Sequence, residues 1–216
     1  MNLLAISTSG PQPSAALFED EALVHEALGQ GGKTHSETIM PLVEQTLAAA
    51  GLLPNQVDIF AVDIGPGSFT GVRIGVCAAN AMAMASGRSV APVSSLRALV
   101  NGIQLPACAL LDCRNGNGYA LLLDASGETL IPESAVVVSD FLKTAPSGTC
   151  FVGDGALLYR EEILCSVTGA HFCDVNAVTA SNVGKCALGH SGESDAMPLY
   201  LRPSQAERLY QGNKSW

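Results

Sequence analysis

Asp63-Ile64-Gly65-Pro66-Gly67-Ser68-Phe69-Thr70-Gly71-Val72-Arg73-Ile74-Gly75 joins two segments of different character. Residues 57–64 before it are apolar enough for a buried strand. Residues 72–86 after it lack proline and are rich in Ala and Met, which predicts a helix. The loop Gly65, Pro66, Gly67, Ser68 needs glycine for close approach or unusual dihedrals, and Pro66 stiffens it. Ser68 or Thr70 is the expected N-cap. Along the helix, Gly67, Gly71, Gly75, Ala79, Ala83 and Gly87 recur at every fourth position, so one face is nearly bare. Glycine inside a helix costs about 1 kcal/mol relative to alanine, so Gly75 implies that another backbone comes close. That backbone belongs either to the chain's own sheet or to a second protein.

The loop fits none of the phosphate or nucleophile motifs. A dinucleotide fingerprint needs glycine where Thr70 stands. A Walker loop needs a lysine that is not there. A nucleophile elbow around Ser68 needs glycine in place of Pro66 and Thr70. Ser68 therefore reads as a cap.

Outward from this stretch, residues 2–7, 14–18 and 22–28 read as three strands with short turns, an antiparallel meander. Thr34-His35-Ser36-Glu37 has capping-box spacing, with Ile39, Val43, Leu47 and Ala50 along one face of the helix that follows. Pro41 should kink that helix or delay its start, and His35 reads as a surface or cap residue. A short strand is expected at 89–93. Three strands, helix, strand, helix, strand is the order of a ribonuclease-H-like, actin-type half, which predicts an α/β fold of two lobes. A helix from Ser94 leads to the second lobe. Strands are expected there at 107–111, 119–124, 129–132 and 149–152, with helices at 139–143, from 153 to about 164, and at 178–188. This half reads as a reduced copy of the first, giving lobes at 1–100 and 101–216.

The 216 residues carry only 14% charged side chains and a net charge of −9, which argues against unaided binding to nucleic acid. No signal-peptide pattern is expected at Met1, and no apolar run reaches membrane-spanning length. Seven scattered cysteines fit a reducing cytoplasm. His171, Cys173 and Asp174 are close enough in sequence to suggest a metal corner, but they read better as a loop.

The run Gly-Pro-Gly-Ser-Phe-Thr-Gly-Val-Arg-Ile-Gly-Val at 65–76 resembles the TsaB (YeaZ) family. So do His35-Ser36-Glu37-Thr38, Val93-Ser94-Ser95-Leu96, Asp112-Cys113-Arg114, Gly153-Asp154-Gly155 and Pro198-Leu199-Tyr200-Leu201-Arg202. The resemblance implies an actin-like (ASKHA) fold and a non-catalytic partner of the paralogous catalytic subunit TsaD. With a small ATPase, TsaE, these proteins transfer a threonylcarbamoyl group to adenosine beside the anticodon of tRNA. It further implies homodimers in isolation, tRNA contact only through the complex, and no cofactor or metal. Partner contact would run through the helices near 36–50 and 69–86, and the expected interface residues are Ile39, Val43, Phe69, Gly71, Val72, Gly75, Ala79, Met82 and Ala83.

The departures agree with a non-catalytic role. The paralogue's His-x-x-x-His metal pair aligns with Ser95 and Leu99, and Leu99 cannot bind a metal. The first-strand aspartate of actin-type phosphotransferases is Ser7 here. Asp63 and Asp112 are the candidate relics, and Asp63, at a strand end, reads better as a residue that orients the loop than as a metal ligand. An actin-type phosphotransferase or a metallopeptidase are the competing classes, and each lacks a residue it requires.

Overall fold

A computed structural model describes residues 1–30 and 32–202. Its first sheet contains β1 (Asn2–Ser7), β2 (Ser14–Glu19), β3 (Ala22–Leu28), β4 (Ile59–Asp63) and β5 (Ser89–Val93), in the order β3-β2-β1-β4-β5. The meander β1–β2–β3 is antiparallel, and β4 and β5 add parallel to β1. The second sheet contains β6 (Ala107–Asp112), β7 (Asn117–Leu123), β8 (Thr129–Val137), β9 (Cys150–Val152) and β10 (His171–Phe172). Its order is β10-β9-β6-β7-β8. Read from the other edge, that is the same topology with the same strand directions. The chain therefore has two mixed sheets flanked by helices in the ribonuclease-H-like arrangement, although its halves share no visible sequence repeat.

The apolar pattern of the strands explains the layering. Leu3 and Ala5 of β1 face one core, while Leu4 and Ile6 face another. A strand covered on both faces reads as a continuous apolar run. On one face of the first sheet lie α1 (His35–Ala49) and α2 (Phe69–Ser86). The other face is covered by α7 (Ala180–Ala187), which arrives from the far end of the chain, while α3 (Ser95–Val100) packs on the second sheet. These two crossing helices share the core between the sheets. The outer face of the second sheet is covered by α4 (Val138–Phe141), α5 (Asp154–Leu158) and α6 (Arg160–Ser166). No helix among the described residues is long and apolar enough to cross a membrane.

The element boundaries differ from expectation where caps decide them. Ser68 Oγ accepts the Gly71 amide at 3.2 Å, so α2 begins at Phe69 and Ser68, not Thr70, is the N-cap. Gly87 closes the helix with φ of 63°, a left-handed conformation that glycine adopts without penalty. The capping box at Thr34 is formed, and α1 starts at His35, ahead of Pro41. The helix expected at 139–143 forms instead as the short α4 and a 3-10 turn, Leu142–Thr144, without a serine cap. The helix expected from 153 is divided at Tyr159 into α5 and α6. The part of the expected second lobe at 203–216 lies outside the described residues.

The bare stripe of α2 faces the chain's own sheet, which corrects the interface expected of it. Ala79 and Ala83 are buried in the α1–α2 core with Leu4, Ile6 and Val62. A Cβ on Gly71 would overlap the Thr8 carbonyl oxygen, and one on Gly75 would overlap the Thr8 hydroxyl. Thr8 fills that space and donates its hydroxyl to the Gly71 carbonyl at 2.7 Å. Ile39, Val43 and Val72 are also buried in this core. Groups already covered by their own sheet cannot meet a partner without unfolding. Only Phe69 and Met82 of the expected set retain partial exposure.

Candidate functional site

Four oxygen-bearing side chains meet where β1, β4 and α3 end or begin. Asp63, the last residue of β4, is fully buried. Its Oδ2 accepts the Ser7 hydroxyl at 2.8 Å and also the Ser9 hydroxyl. Its Oδ1 accepts the Ser95 hydroxyl at 2.5 Å and the Gly65 amide at 2.9 Å. Every group around the carboxyl is a neutral donor. Burial raises its pKa, opposed by the hydrogen bonds from Ser9, Ser95, Gly65 and Ser7. Ser7 and Ser95 stand where the resemblance leads one to expect a carboxylate and the first histidine of a metal pair. Here they close a cage around Asp63 and leave it no face open to solvent.

The cage sets the glycine-rich loop. Gly65 has φ of 93°, and a Cβ there would lie 3.2 Å from the Val72 side chain. The Ser68 amide donates to the Ser9 carbonyl at 2.8 Å, and a Cβ on Gly67 would come within 2.7 Å of that same oxygen. Gly65 and Pro66 are buried, whereas Gly67, Ser68 and Thr70 are exposed. The segment Pro198-Leu199-Tyr200-Leu201-Arg202 lies over this loop. The Leu199 amide donates to the Ile64 carbonyl. The Tyr200 ring stacks on Phe69 with centroids 4.6 Å apart, and the Arg73 guanidinium sits 4.0 Å over Phe69 while its Nε donates to the Tyr200 hydroxyl. Sequence reading picked out this terminal run by resemblance but missed its contact with Phe69, because no local periodicity links residues so far apart.

A cleft of about 690 Å³ opens between the lobes beside the cage. Ser9, Pro11 and Gly67 form part of one wall, and Asp112, Arg114 and Asp154 part of the other. His35 lines it too, held with Nε2 2.8 Å from the Gly10 carbonyl oxygen. Asp112 accepts the Arg114 amide and the Tyr159 hydroxyl, and its own amide donates to Asp154. Actin-type enzymes hold a metal–nucleotide in such a cleft, and the residues here do not fit one. Asp63 spends both oxygens inside the cage, and two carboxylates oppose a single guanidinium across the lining, a poor balance for polyphosphate. Among the described residues no three His, Cys, Asp or Glu side chains converge as a metal site, and His171, Cys173 and Asp174 form no such corner.

The outward face of α1 and α2 is the opposite of the caged interior. Met40 is 48% exposed and Met84 is 83% exposed, and Arg73, Cys77 and Ala81 share the outer side of α2. Asn80 binds the Ala196 backbone through both its amide groups, so the chain beside Met197 is fixed to the same helix.

Comparison with known proteins agrees with this geometry. A family model described as tRNA N6-adenosine threonylcarbamoyltransferase matches residues 25–177. The tRNA threonylcarbamoyladenosine biosynthesis protein TsaB of Bacillus subtilis is 31% identical over 221 residues, covering 96% of each chain. A Pseudomonas aeruginosa crystal structure, described as an uncharacterized protein with similarity to peptidase YEAZ, superposes with a TM-score of 0.77. It is 25% identical and covers 93% of this chain and 99% of its own. The ROK hexokinase of Thermus thermophilus, at 12% identity and a TM-score of 0.51 over 87% of this chain and 98% of its own, shares the actin-type fold.

Proposed function

We propose that this chain, which belongs to the TsaB (YeaZ) family of tRNA threonylcarbamoyladenosine biosynthesis proteins, supports the catalytic subunit of that pathway and catalyses no step itself. The observation that carries this reading is the closed cage. Ser7, Ser9 and Ser95 direct hydroxyls at Asp63 where a metal or phosphate site would need carboxylate and imidazole facing outward. Hydroxyl groups are poor ligands for a transition metal. The binding surface in this reading is the outward side of α1 and α2, with Met40, Met82 and Met84 as apolar contacts and Arg73 beside them. Unbranched methionine side chains adapt to a partner surface. The partner is a TsaD-like catalytic subunit. A second copy of the chain occupies the same face when that subunit is absent, and a TsaE-like ATPase joins the assembled pair. With a net charge of −9, the chain meets tRNA only through the complex.

The test is reconstitution. The chain, the catalytic subunit and the ATPase are assayed together and singly for threonylcarbamoyl transfer to tRNA, and this chain alone is assayed for bound metal and ATP turnover. The reading expects modification only with the catalytic subunit present, no stoichiometric metal and negligible turnover in this chain. Transfer by this chain alone, or ATP turnover abolished by Asp63→Asn, would overturn it.

A further inference from the structure

Cys150 opens β9, and Cys173 directly follows β10. The strands run parallel with Cys150 opposite His171, so Cys173 lies one two-residue repeat further along the same face. Both are free thiols, and their sulfurs lie 2.9 Å apart. We propose that Cys150 and Cys173 form a reversible disulfide, a redox-sensitive clasp on the edge of the second sheet. A disulfide needs the sulfurs at about 2.05 Å, so closure requires a shift of under about 1 Å, within the reach of side-chain rotation.

Two features make the pair selective. Cys108 is adjacent on β6 but pairs with Phe151 and belongs to the outer core, whereas Cys150 pairs with Ala107 and shares its inner face. Cys108 therefore points away and does not compete. Accessibility orders the chemistry. Cys173 is partly exposed, and Cys150 is wholly buried.

The oxidant is a small-molecule disulfide. The Cys173 thiolate attacks one of its sulfurs, forming a mixed disulfide and releasing one small thiolate. Cys150 then loses its proton and attacks the Cys173 sulfur, and the second small thiolate leaves. Two protein thiols are oxidised by two electrons, and the small disulfide is reduced to two thiols. Burial, with the hydrogen bond to Cys173, holds the Cys150 thiol up at about 12, so the second displacement is the slow one.

The clasp closes a span of 23 residues and fixes the start of the segment leading to α7. The Val175 carbonyl in that segment accepts the Gly153 amide, and Val178 passes 3.5 Å from the Ser7 hydroxyl.

The experiment incubates the reduced protein with oxidised glutathione. Free thiols are then alkylated, and peptides are mapped without reduction. The expected result is a cross-linked pair of peptides containing Cys150 and Cys173, beside glutathione on the exposed Cys77 and Cys165, all reversed by dithiothreitol. Cys150→Ala should stop at glutathione on Cys173. In Cys173→Ala, Cys150 should stay unreacted, which keeps the test decisive if the first variant fails to fold. Recovery of Cys150 and Cys173 as alkylated free thiols after the exposed Cys77 and Cys165 have reacted would overturn the proposal. So would glutathione persisting on Cys173 in the unsubstituted protein.

Discussion

Asp63 carries four hydrogen bonds and no counter-charge. Its folded pKa is raised above 3.8 by burial. The protonated form is therefore favoured by folding, and its contribution is fully present below 3.8 and lost as pH rises through the folded value. Asp63→Asn keeps the shape. Its oxygen can accept Gly65 and Ser95, and its amide can donate to Ser7 and Ser9 after their hydroxyls rotate. Denaturant unfolding of both proteins from acid to neutral pH should show the wild type losing stability relative to Asp63→Asn as pH rises above 3.8. A difference independent of pH, or one of opposite slope, would contradict this. Asp63→Ala should be worse than Asp63→Asn at every pH, by roughly 2–4 kcal/mol, because it strands several buried donors. The sequence marked Asp63 as a strand-end residue and Ser95 as a failed ligand. That Ser7, Ser9 and Ser95 all turn toward Asp63 was not legible, because hydroxyl direction depends on where three separate elements end.

The α2 helix shows what four-residue spacing does and does not reveal. Gly71, Gly75, Ala79 and Ala83 correctly announce a close approach. They do not announce which backbone approaches, and in the structure it is Thr8 and the first sheet. Ala79→Leu should therefore lower the melting temperature, at a cost of about 1–3 kcal/mol from overpacking. Gly75→Ala should do the same, because the Thr8 hydroxyl must be displaced. Unchanged melting of both variants, followed by thermal scans, would return the stripe to the surface. The outward side should behave in the opposite way. Met84→Glu, at 83% exposure, should change stability by less than about 0.5 kcal/mol while weakening association with the catalytic subunit at least about tenfold. Sedimentation of the mixed proteins checks this, and unweakened association would move the interface elsewhere.

Across the whole molecule, strand order was the most legible property. Three strands followed by alternating helices and strands predicted the first half, and both sheets have the same topology. The two-residue edge strand β10, however, lies where the sequence read as a loop, too short to show a strand period. The exchange of α3 and α7 between the sheets was not legible, since both are short helices whose apolar faces fit either sheet. That exchange places Ser95 in the cage from a helix packed on the second sheet, and it brings Val178 beside Ser7. The lobes are thus joined at the point where an actin-type enzyme would hold its metal–nucleotide. In the proposed reading this joined molecule binds and supports the catalytic subunit. Titration of the purified chain into the TsaD-like catalytic subunit by calorimetry tests that claim most directly. The account predicts a saturable complex that survives Asp63→Asn and is weakened by Met84→Glu. Absence of heat and of a complex, with both proteins folded and free of additives, would contradict it.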